Sequence, residues 1–310
     1  MLHPDQDFYQ QTIDEALLDD LSQLVRLAIR EDLNRTFDLT TVAIVPSALP
    51  AKAHIAARKS GVASGLELIS SIIETVDADI RVEIHQQDAT SFDAGTRLAT
   101  LSGEARDVLT CERTILNFLG RLCGIATWTA EHVALLEGLP AKLYDTRKTT
   151  PGWRRLEKYA TRCGGATNHR SGLYEAVMVK DNHLACHAHR SGQLMRPSEA
   201  VNAIREFLRE APDVPTDAIV EIEVDSLEQL EDALPAAPDI VLLDNMSLSQ
   251  LETSVAMRNK AQPGVQLEAS GGVTKTSLRS IAETGVDRIS MGALTHSAVN
   301  LDLGLDWEIG

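Results

Sequence analysis

The segment that decides the fold runs from Ile219 to Asp244 and reads IVEIEVDSLEQLEDALPAAPDIVLLD. Its first apolar run has the length of a buried strand and is followed by Ser226-Leu-Glu-Gln229, which has the spacing of a helix capping box. A second apolar run then ends on Asp244. A strand, a helix and another strand in this order predict a parallel βα unit.

The same alternation extends to both sides of this segment. A second capping-box spacing occurs at Ser247-Leu-Ser-Gln250. The apolar runs are Ala141–Tyr144, Ala176–Val179, Ile219–Val224, Ile240–Leu243, Val265–Glu268 and Arg288–Ser290. Six runs are fewer than the eight strands of a closed barrel, so we expect a shortened or partly open βα-barrel. A doubly wound open sheet is the alternative.

The first half of the chain has a different pattern. Residues 14–32 have apolar residues at helical spacing, and residues 51–100 have short strand-like runs separated by turn signals. Residues 104–137 then predict a long helix, with Gly120 and Gly124 as candidate breaks.

Composition argues against several classes of protein. The chain has 29 Lys and Arg against 45 Asp and Glu, a net charge of −16, which argues against a general binder of nucleic acid or anionic membranes. We find no apolar run long enough for a membrane span and no secretory signal in the first twenty residues. Four cysteines without CxxC spacing suit reduced thiols. We therefore expect a cytoplasmic protein.

A basic segment interrupts this acidic chain. Between Arg147 and Arg170, seven residues are basic, whereas Glu157 is acidic. Such a cluster repels itself less when an anion lies in it, and the planar guanidinium of arginine fits carboxylate and phosphate groups. The segment predicts a pocket for a small, highly charged anion. Its basic residues are Arg147, Lys148, Arg154, Arg155, Lys158, Arg162 and Arg170.

Polar residues stand at the end of each apolar run. In a βα-barrel the carboxyl ends of all strands meet at one mouth, where active sites lie. Six runs that each end in a candidate ligand therefore predict one site. The end groups are Asp145-Thr146-Arg147, Lys180-Asp181, Glu223, Asp244, Ser270-Gly271-Gly272 and Ser290-Met291-Gly292.

The cationic end groups favour anion binding. Arg147 and Lys148 suit a carboxylate or phosphate clamp, and Arg170 suits a second carboxylate with His169 as a donor. Lys180 is a candidate for a Schiff base or for a fixed cation. A solvated turn, an ordinary loop and a lysine extending to solvent are the structural alternatives for these groups.

The acidic and glycine-rich end groups favour a phosphorylated sugar. Glu223 and Asp244 suit sugar hydroxyls or hydrated Mg²⁺, although charge pairing with a helix start also explains them. Backbone N–H groups after the last two strands suit phosphate, and plain turns are the alternative. The histidines between His183 and His189 have metal-like spacing, but no second cluster completes a zinc site, and we expect a His-rich loop.

In order and spacing, these motifs resemble the quinolinate phosphoribosyltransferase (decarboxylating) family, also called nicotinate-nucleotide pyrophosphorylases. The resemblance spans nearly the whole chain, and Trp153 and Ala166 depart from the usual pattern. Its strongest pieces are Leu101-Ser-Gly-Glu-Ala-Arg106, Glu112-Arg113, Leu116–Leu119, Gly124-Ile-Ala-Thr127, Asp145–Gly152, Asn168-His-Arg170, Lys180-Asp-Asn-His183, Glu221-Ile-Glu-Val224, Ser270-Gly-Gly272 and Gly292-Ala-Leu-Thr295.

The resemblance implies two domains and a homodimer. Residues 1–128 would form an N-terminal α/β sandwich domain, joined by residues 295–310. Residues 129–294 would form an incomplete parallel, TIM-like βα-barrel that carries the active site. Arg113 would be lent across the dimer interface to the neighbouring site. No nucleic acid or membrane partner is implied.

The resemblance also implies a set of ligands. Quinolinate would be bound by Arg113, Thr146, Arg147, Lys148, His169, Arg170 and Lys180. The phosphoribosyl group would be bound by Glu223, Asp244, Ser270, Gly271, Gly272, Met291, Gly292 and Ala293. The catalytic residues would be Lys148, Lys180, Glu223 and Asp244. Mg²⁺ would accompany the pyrophosphate without a direct protein ligand, with water-mediated contact to Glu223 and Asp244 as an option, and no organic cofactor is implied.

The implied reaction transfers the phosphoribosyl group of phosphoribosyl pyrophosphate to quinolinate with decarboxylation. The nearest alternative is a related transferase acting on nicotinate or another small acid, but a monocarboxylate needs fewer cations than Arg113, Arg147 and Arg170 provide. A more distant alternative is a Schiff-base aldolase using Lys180. A non-catalytic anion-binding module explains the cations but leaves Glu223 and Asp244 without a role.

Overall fold

The structure is a computed structural model that describes residues 7–211 and 218–308 of the chain. None of the helices in these ranges is both long and apolar enough to cross a membrane. The helices are α1 (Glu15–Leu33), α2 (Leu39–Ile44), α3 (Ile69–Val76), α4 (Ala105–Val133), α5 (Arg154–Cys163), α6 (Asp181–Ser191), α7 (Pro197–Glu210), α8 (Leu227–Ala233), α9 (Leu248–Ala261), α10 (Leu278–Glu283) and α11 (Ala293–His296).

The strands form one parallel sheet, one antiparallel sheet and a short two-stranded ribbon. They are β1 (Pro50–Ala57), β2 (Gly61–Val62), β3 (Ile80–Ile84), β4 (Ser91–Phe92), β5 (Arg97–Glu104), β6 (Lys142–Tyr144), β7 (Val177–Val179), β8 (Val220–Val224), β9 (Ile240–Asp244), β10 (Gln266–Ser270), β11 (Arg288–Ser290) and β12 (Leu303–Trp307).

The chain divides into two compact units, which we name after their sheets. The parallel-sheet unit consists of residues 1–9, 132–147 and 167–292, of which residues 7–9, 132–147, 167–211 and 218–292 are described. The antiparallel-sheet unit consists of residues 10–131, 148–166 and 293–310, described to residue 308.

The parallel sheet has the order β6-β11-β10-β9-β8-β7, so all six apolar runs of the second half are confirmed as strands. Every neighbouring pair in it is parallel. Thr167 adds an isolated parallel bridge to Tyr144 at the β6 edge. Among the described strands β6 does not pair with β7, so the sheet is open.

Both predicted capping boxes lie at helix starts in this sheet unit. Ser226 caps α8 by accepting a hydrogen bond from the backbone N–H of Gln229. Ser247 and Gln250 form the full reciprocal box at the start of α9. These caps satisfy backbone donors that the first helical turn leaves without partners, so each helix begins just after its strand.

One face of the parallel sheet carries two rows of polar side chains. Side chains alternate along a strand, so residues two apart share a face. The register joins Glu223 to Leu242, Leu242 to Glu268 and Glu268 to Arg288 across neighbouring strands. The end row, at the carboxyl ends, is Lys180, Glu223, Asp244, Ser270 and Ser290. The inner row is the buried set Glu221, Glu268 and Arg288 on the same face. The register sets Glu268 and Arg288 level with Glu223, and Glu221 lies one pleat deeper.

The antiparallel-sheet unit has the strand order β12-β1-β5-β3 and a core built with its helices. Helix α1 confirms the helix predicted over residues 14–32 and is capped by the side chain of Asp14. Helix α4 has no break at Gly120 or Gly124. A Cβ on Gly124 would lie 2.2 Å from the carbonyl oxygen of Val299, so this glycine permits close packing of another segment.

The two units differ from the predicted domains mainly in two segments, residues 1–9 and 148–166. Phe8 packs in the parallel-sheet core with Tyr144 and Ala176. Conversely, Leu156 and Ala160 of α5 are fully buried in the core of the antiparallel-sheet unit. Apolar packing therefore places residues 7–9 in the parallel-sheet unit and residues 148–166 in the antiparallel-sheet unit, whereas the predicted domains had them the other way round. The division into domains at residue 128 stays a prediction.

Candidate functional site

The end row places a lysine and a carboxylate side by side at the sheet edge. The ammonium of Lys180 forms an ion pair with Oε2 of Glu223. A lysine held by a carboxylate is a fixed cation, whereas a Schiff base requires a neutral amine. This geometry favours anion binding by Lys180 over the aldolase alternative.

Hydrogen bonds from Asn245 connect Asp244 to the glycine turn that follows β10. The backbone N–H of Asn245 donates to the carbonyl oxygen of Ser270 at 2.9 Å, and its Nδ2 donates to Asp244 Oδ2 at 2.8 Å. Gly271 and Gly272 both have positive φ, at 86° and 59°. A Cβ on Gly271 would lie 2.3 Å from Oδ1 of Asn245. A side chain at position 271 therefore has no room beside Asn245, and the turn requires glycine.

Two arginines supply the cations of the site. Nε of Arg147 is buried and has no hydrogen-bond partner among the described residues. Arg170 is 5% exposed, and its Nη1 donates to the carbonyl oxygen of Ala176 at 3.0 Å. Burial lowers the pKa of Arg170, and the positive charge of Arg147 adds to this effect although Glu221 opposes it. Two guanidinium groups that repel each other favour an anion between them.

A buried aspartate holds the loop that carries Arg170. Asp145 is fully buried directly after β6. Its Oδ2 accepts from Nδ2 of Asn168 at 2.7 Å, and its Oδ1 accepts from the backbone N–H of His169 at 2.8 Å. Asp145 therefore holds the Asn168–Arg170 loop in place through these two hydrogen bonds, one of which Asn168 donates.

His169 points into the sheet and not toward the end row. Its Nδ1 accepts a hydrogen bond from the backbone N–H of Arg170 at 2.8 Å. Its Nε2 lies 3.3 Å from Oε2 of Glu221 and 3.3 Å from Oε1 of Glu268. Phe8 stacks on the ring with centroids 4.3 Å apart. Nδ1 is thus engaged by the backbone and Nε2 lies close to two carboxylates, and the role of His169 in binding quinolinate stays a prediction.

Arg288 completes the inner row. Its Nε donates to Oε2 of Glu268 at 3.0 Å, and its Nη1 donates to Asp7 at 3.2 Å and to Gln266 at 3.1 Å. The guanidinium lies 3.7 Å from the ring centroid of Tyr144. Sequence analysis missed Glu221, Glu268 and Arg288 as members of one cluster, although glutamates two apart within apolar VEIEV were a visible signal.

The protonation of this cluster follows from burial and neighbouring charges. Burial raises the pKa of Glu221. Burial also acts to raise the pKa of Glu268, but the charges of His169 and Arg288 outweigh it and lower that pKa to about 2. Burial lowers the pKa of His169, yet both carboxylates raise it to about 9. A pKa of about 9 would leave the ring protonated near neutral pH, but Nδ1 accepts the backbone N–H of Arg170, which a protonated Nδ1 could not do. The hydrogen-bond geometry therefore defines a neutral ring, and Arg288 is then the charge that lowers the pKa of Glu268.

The predicted basic pocket is divided between the two units. Arg155 pairs with Asp20 at 2.5 Å, and Arg162 donates to the carbonyl oxygen of Gln11 at 2.8 Å, all within the antiparallel-sheet unit. The expectation of one anion pocket for the whole basic segment is wrong for these two arginines, because each has a partner of its own.

Three predicted ligands lie in the antiparallel-sheet unit, and the others lie in the parallel-sheet unit. Arg113 is exposed on α4. Lys148 accepts a hydrogen bond from the Thr295 hydroxyl through its carbonyl oxygen at 2.8 Å. Ala293 is the first residue of α11. In the parallel-sheet unit, Thr146 follows Asp145 and is half-buried. The backbone N–H of Met291, which precedes Gly292, donates to the carbonyl oxygen of Tyr144 at 2.9 Å.

The unusual positions of the sequence have structural explanations. Trp153 stacks on Phe118 with ring centroids 4.6 Å apart. Ala166 is buried, where a methyl group packs without a clash. The His-rich segment lies in helix α6, so the expectation of a loop is wrong. Nδ1 of His183 accepts a hydrogen bond from the backbone N–H of Lys180 at 2.9 Å, which helps to begin the helix.

Fold and site together define a mixed α/β protein whose candidate ligands lie at the carboxyl ends of parallel strands. Residues 125–306 match the family model "Quinolinate phosphoribosyl transferase, C-terminal domain", and residues 38–123 match the corresponding N-terminal domain. The chain belongs to the quinolinate phosphoribosyltransferase family.

Relatives over the full length agree with this assignment. The chain is 39% identical over 284 residues to nicotinate-nucleotide pyrophosphorylase (carboxylating) of Mycobacterium leprae, covering 91% of this chain and 95% of that protein. It is 34% identical over 299 residues to quinolinate phosphoribosyltransferase (decarboxylating) 1 of Nicotiana glauca, covering 92% and 82%. The structure of the nicotinate-nucleotide pyrophosphorylase from Francisella tularensis matches with TM-score 0.85 and 34% identity, covering 98% and 100%.

Proposed function

We propose that this protein transfers the phosphoribosyl group of phosphoribosyl pyrophosphate to quinolinate and releases CO₂. The products are nicotinate mononucleotide and pyrophosphate. One observation carries the proposal: three features lie together at a single sheet edge. They are Arg147, whose buried Nε has no hydrogen-bond partner among the described residues, the Lys180–Glu223 ion pair and the glycine turn at Gly271. Relatives named for this reaction support it.

Charge balance is the first task of such a site. Quinolinate has two carboxylates, and the second substrate has a phosphate and a pyrophosphate. Like charges brought together at low dielectric repel by several kcal/mol, so cations are required. We propose that Arg147, Arg170 and Lys180 bind the quinolinate carboxylates. Thr146, Lys148, His169 and the Arg113 of a dimer partner complete the set that the family resemblance implies.

Transfer of the ribose requires stabilisation of a positive charge. The ring nitrogen of quinolinate attacks C1 of the ribose while the bond from C1 to the pyrophosphate breaks. The sugar passes through an oxocarbenium-like state, which the carboxylates of Glu223 and Asp244 stabilise. The 5′-phosphate would lie on the backbone N–H groups of Ser270–Gly272 and Met291–Ala293.

Decarboxylation follows from the charge of the new pyridinium ring. The bond from ring carbon 2 to its carboxylate breaks, and the electron pair stays on that carbon beside the positive nitrogen. CO₂ leaves, and the carbon takes a proton from Lys148 or from solvent. Mg²⁺ would neutralise the departing pyrophosphate, and the carboxylate oxygens of Glu223 and Asp244 are hard ligands that suit contact with it through water.

The finer architecture is part of the same proposal. The open six-stranded sheet would be the incomplete TIM-like barrel, and the antiparallel sheet with its helices would be the α/β sandwich domain. Arg113 would act in the site of the partner in a homodimer, a role that its exposed position on α4 supports. A cytoplasmic location stays a prediction, supported by four free cysteines.

A product assay by mass spectrometry tests the reaction. The protein is mixed with Mg²⁺, phosphoribosyl pyrophosphate and either quinolinate or nicotinate. We expect nicotinate mononucleotide from quinolinate, with no product when Mg²⁺ is chelated or nicotinate replaces quinolinate. Product from nicotinate alone would assign the neighbouring transferase activity, and the absence of product from both acids would contradict the proposal.

Replacing Gly271 with alanine is expected to raise the KM for phosphoribosyl pyrophosphate more than tenfold. Its Cβ would lie 2.3 Å from Oδ1 of Asn245 at a φ of +86°, so the turn that binds phosphate must move. Gly138→Ala is the matched control, because it has φ +83° in the same unit with nothing within 4 Å of the added Cβ. Equal KM values for the two variants would contradict the assignment of this turn to phosphate.

A further inference from the structure

The inner row contacts the imidazole of His169. Glu221 and Glu268 are fully buried and flank its Nε2. On the other side of the ring, Nδ1 accepts the backbone N–H of Arg170. The ring therefore joins two buried carboxylates to the backbone of an arginine that we assign to quinolinate.

We propose that Glu221 and Glu268 are positioning residues for quinolinate binding, which act through the His169 ring on Arg170. The ring proton on Nε2 faces both carboxylates, so Nδ1 keeps its lone pair for the Arg170 N–H. His169 then supports the backbone of the arginine from behind. This inference rests on the proposed function and assigns a role to two residues for which the family resemblance implied none.

Contacts on three sides fix the ring in this orientation. Phe8 stacks on its face, with an interplanar angle of 24°. Asp145 holds the backbone N–H of His169 itself. The Arg170 guanidinium is in turn fixed by the carbonyl oxygen of Ala176. Each link from the inner row to the Arg170 backbone is thus a direct contact, and a shift of the ring displaces the backbone that carries the guanidinium.

The charges around this cluster disfavour a bound metal ion. His169, Glu221 and Glu268 each offer a ligand atom, and these atoms lie within 4.8 Å of one another. Arg288 already neutralises Glu268 through its Nε. The buried guanidinium of Arg288 contacts Glu268 directly and would repel a divalent cation bound by the same carboxylate. We therefore assign the cluster to positioning and not to metal binding.

Steady-state kinetics of Glu221→Gln and His169→Phe test the proposal. Each change is expected to raise the quinolinate KM about tenfold, because a small displacement of a binding group weakens binding strongly. We expect kcat and the KM for phosphoribosyl pyrophosphate to stay within about twofold. Asp239→Asn is the control, since Asp239 is another buried carboxylate of this unit, paired with Arg205. It is expected to lower the unfolding temperature without a selective change in KM.

The double variant Glu221→Gln/His169→Phe separates positioning from a general loss of stability. Once the ring nitrogens are absent, Glu221 has nothing to orient, so the double variant should match His169→Phe alone. Additive effects on the quinolinate KM, or equal losses in the Asp239→Asn control, would overturn the proposal. Phe8→Ala, at the edge of the cluster, should also raise this KM if the buried variants fold poorly.

A substrate-free measurement keeps this inference separate from the proposed function. In ¹⁵N-histidine NMR spectra of the wild-type protein near neutral pH, we expect the His169 ring to be protonated at Nε2 alone. Protonation at Nδ1, or one tightly bound metal ion per chain that is lost in Glu221→Gln, would overturn it. An inactive wild-type protein would instead contradict the proposed function and leave the NMR result to decide the positioning.

Discussion

Replacing Arg147 with alanine is expected to raise the KM for quinolinate about 100-fold while the unfolding temperature stays unchanged. Nε of Arg147 is buried and lacks a hydrogen-bond partner among the described residues, so we expect its removal to leave the fold intact. Truncating one member of a close charge pair costs about 2–5 kcal/mol of binding, which is a factor of about 30 or more. Steady-state kinetics and thermal unfolding of the purified variant check both parts.

Two further variants sharpen this result. Arg147→Lys should be intermediate, because an ammonium keeps the charge but loses the planar pair of donors. Arg209→Ala removes the same charge from the last turn of α7 in the same unit and should leave the quinolinate KM unchanged. A quinolinate KM within about twofold of wild type for Arg147→Ala would remove this arginine from the site.

Replacing Glu223 with glutamine is expected to lower kcat about 100-fold, with a much smaller change in the quinolinate KM. The carboxylate would stabilise positive charge that exists only in the transition state, so its loss acts on kcat, and removal of one such group typically costs a factor of about 100–1,000. The change also leaves Lys180 without its ion-pair partner. Rapid-quench measurement of product formation isolates the chemical step.

The control for this variant is Glu252→Gln, which removes a carboxylate from the exposed surface of α9. It should leave kcat unchanged. Asp244→Asn should resemble Glu223→Gln if both carboxylates stabilise the same charge. A kcat within about twofold of wild type for both site variants would show that the carboxylates bind the ribose without stabilising the transition state.

Most of the parallel sheet could be predicted because local pattern determines it. Each strand is a short apolar run, and two of the intervening helices begin with a capping box that the sequence displays. The end row follows almost directly, since parallel strands bring their carboxyl ends to one edge. Thus Lys180, Glu223 and Asp244 were identified from position alone, although the Lys180–Glu223 ion pair required the register of the sheet.

The inner row could not be predicted from the sequence because it depends on contacts between distant segments. His169 meets Glu221 and Glu268 only when the register and the loop after residue 167 are both known. From residue type alone, a histidine beside an arginine suggested a second donor to the substrate. Likewise, nothing local showed that Phe8, far from this loop in sequence, would stack on the His169 ring.

The central claim is that phosphoribosyl transfer and decarboxylation occur at this one sheet edge. The most direct test is a reaction with quinolinate labelled with ¹³C in the 2-carboxylate, in the presence of Mg²⁺ and phosphoribosyl pyrophosphate. The account predicts unlabelled nicotinate mononucleotide, with one labelled CO₂ for each pyrophosphate released and loss of both in Arg147→Ala at low quinolinate. Pyrophosphate release with the label retained in the nucleotide, or labelled CO₂ without pyrophosphate, would contradict it.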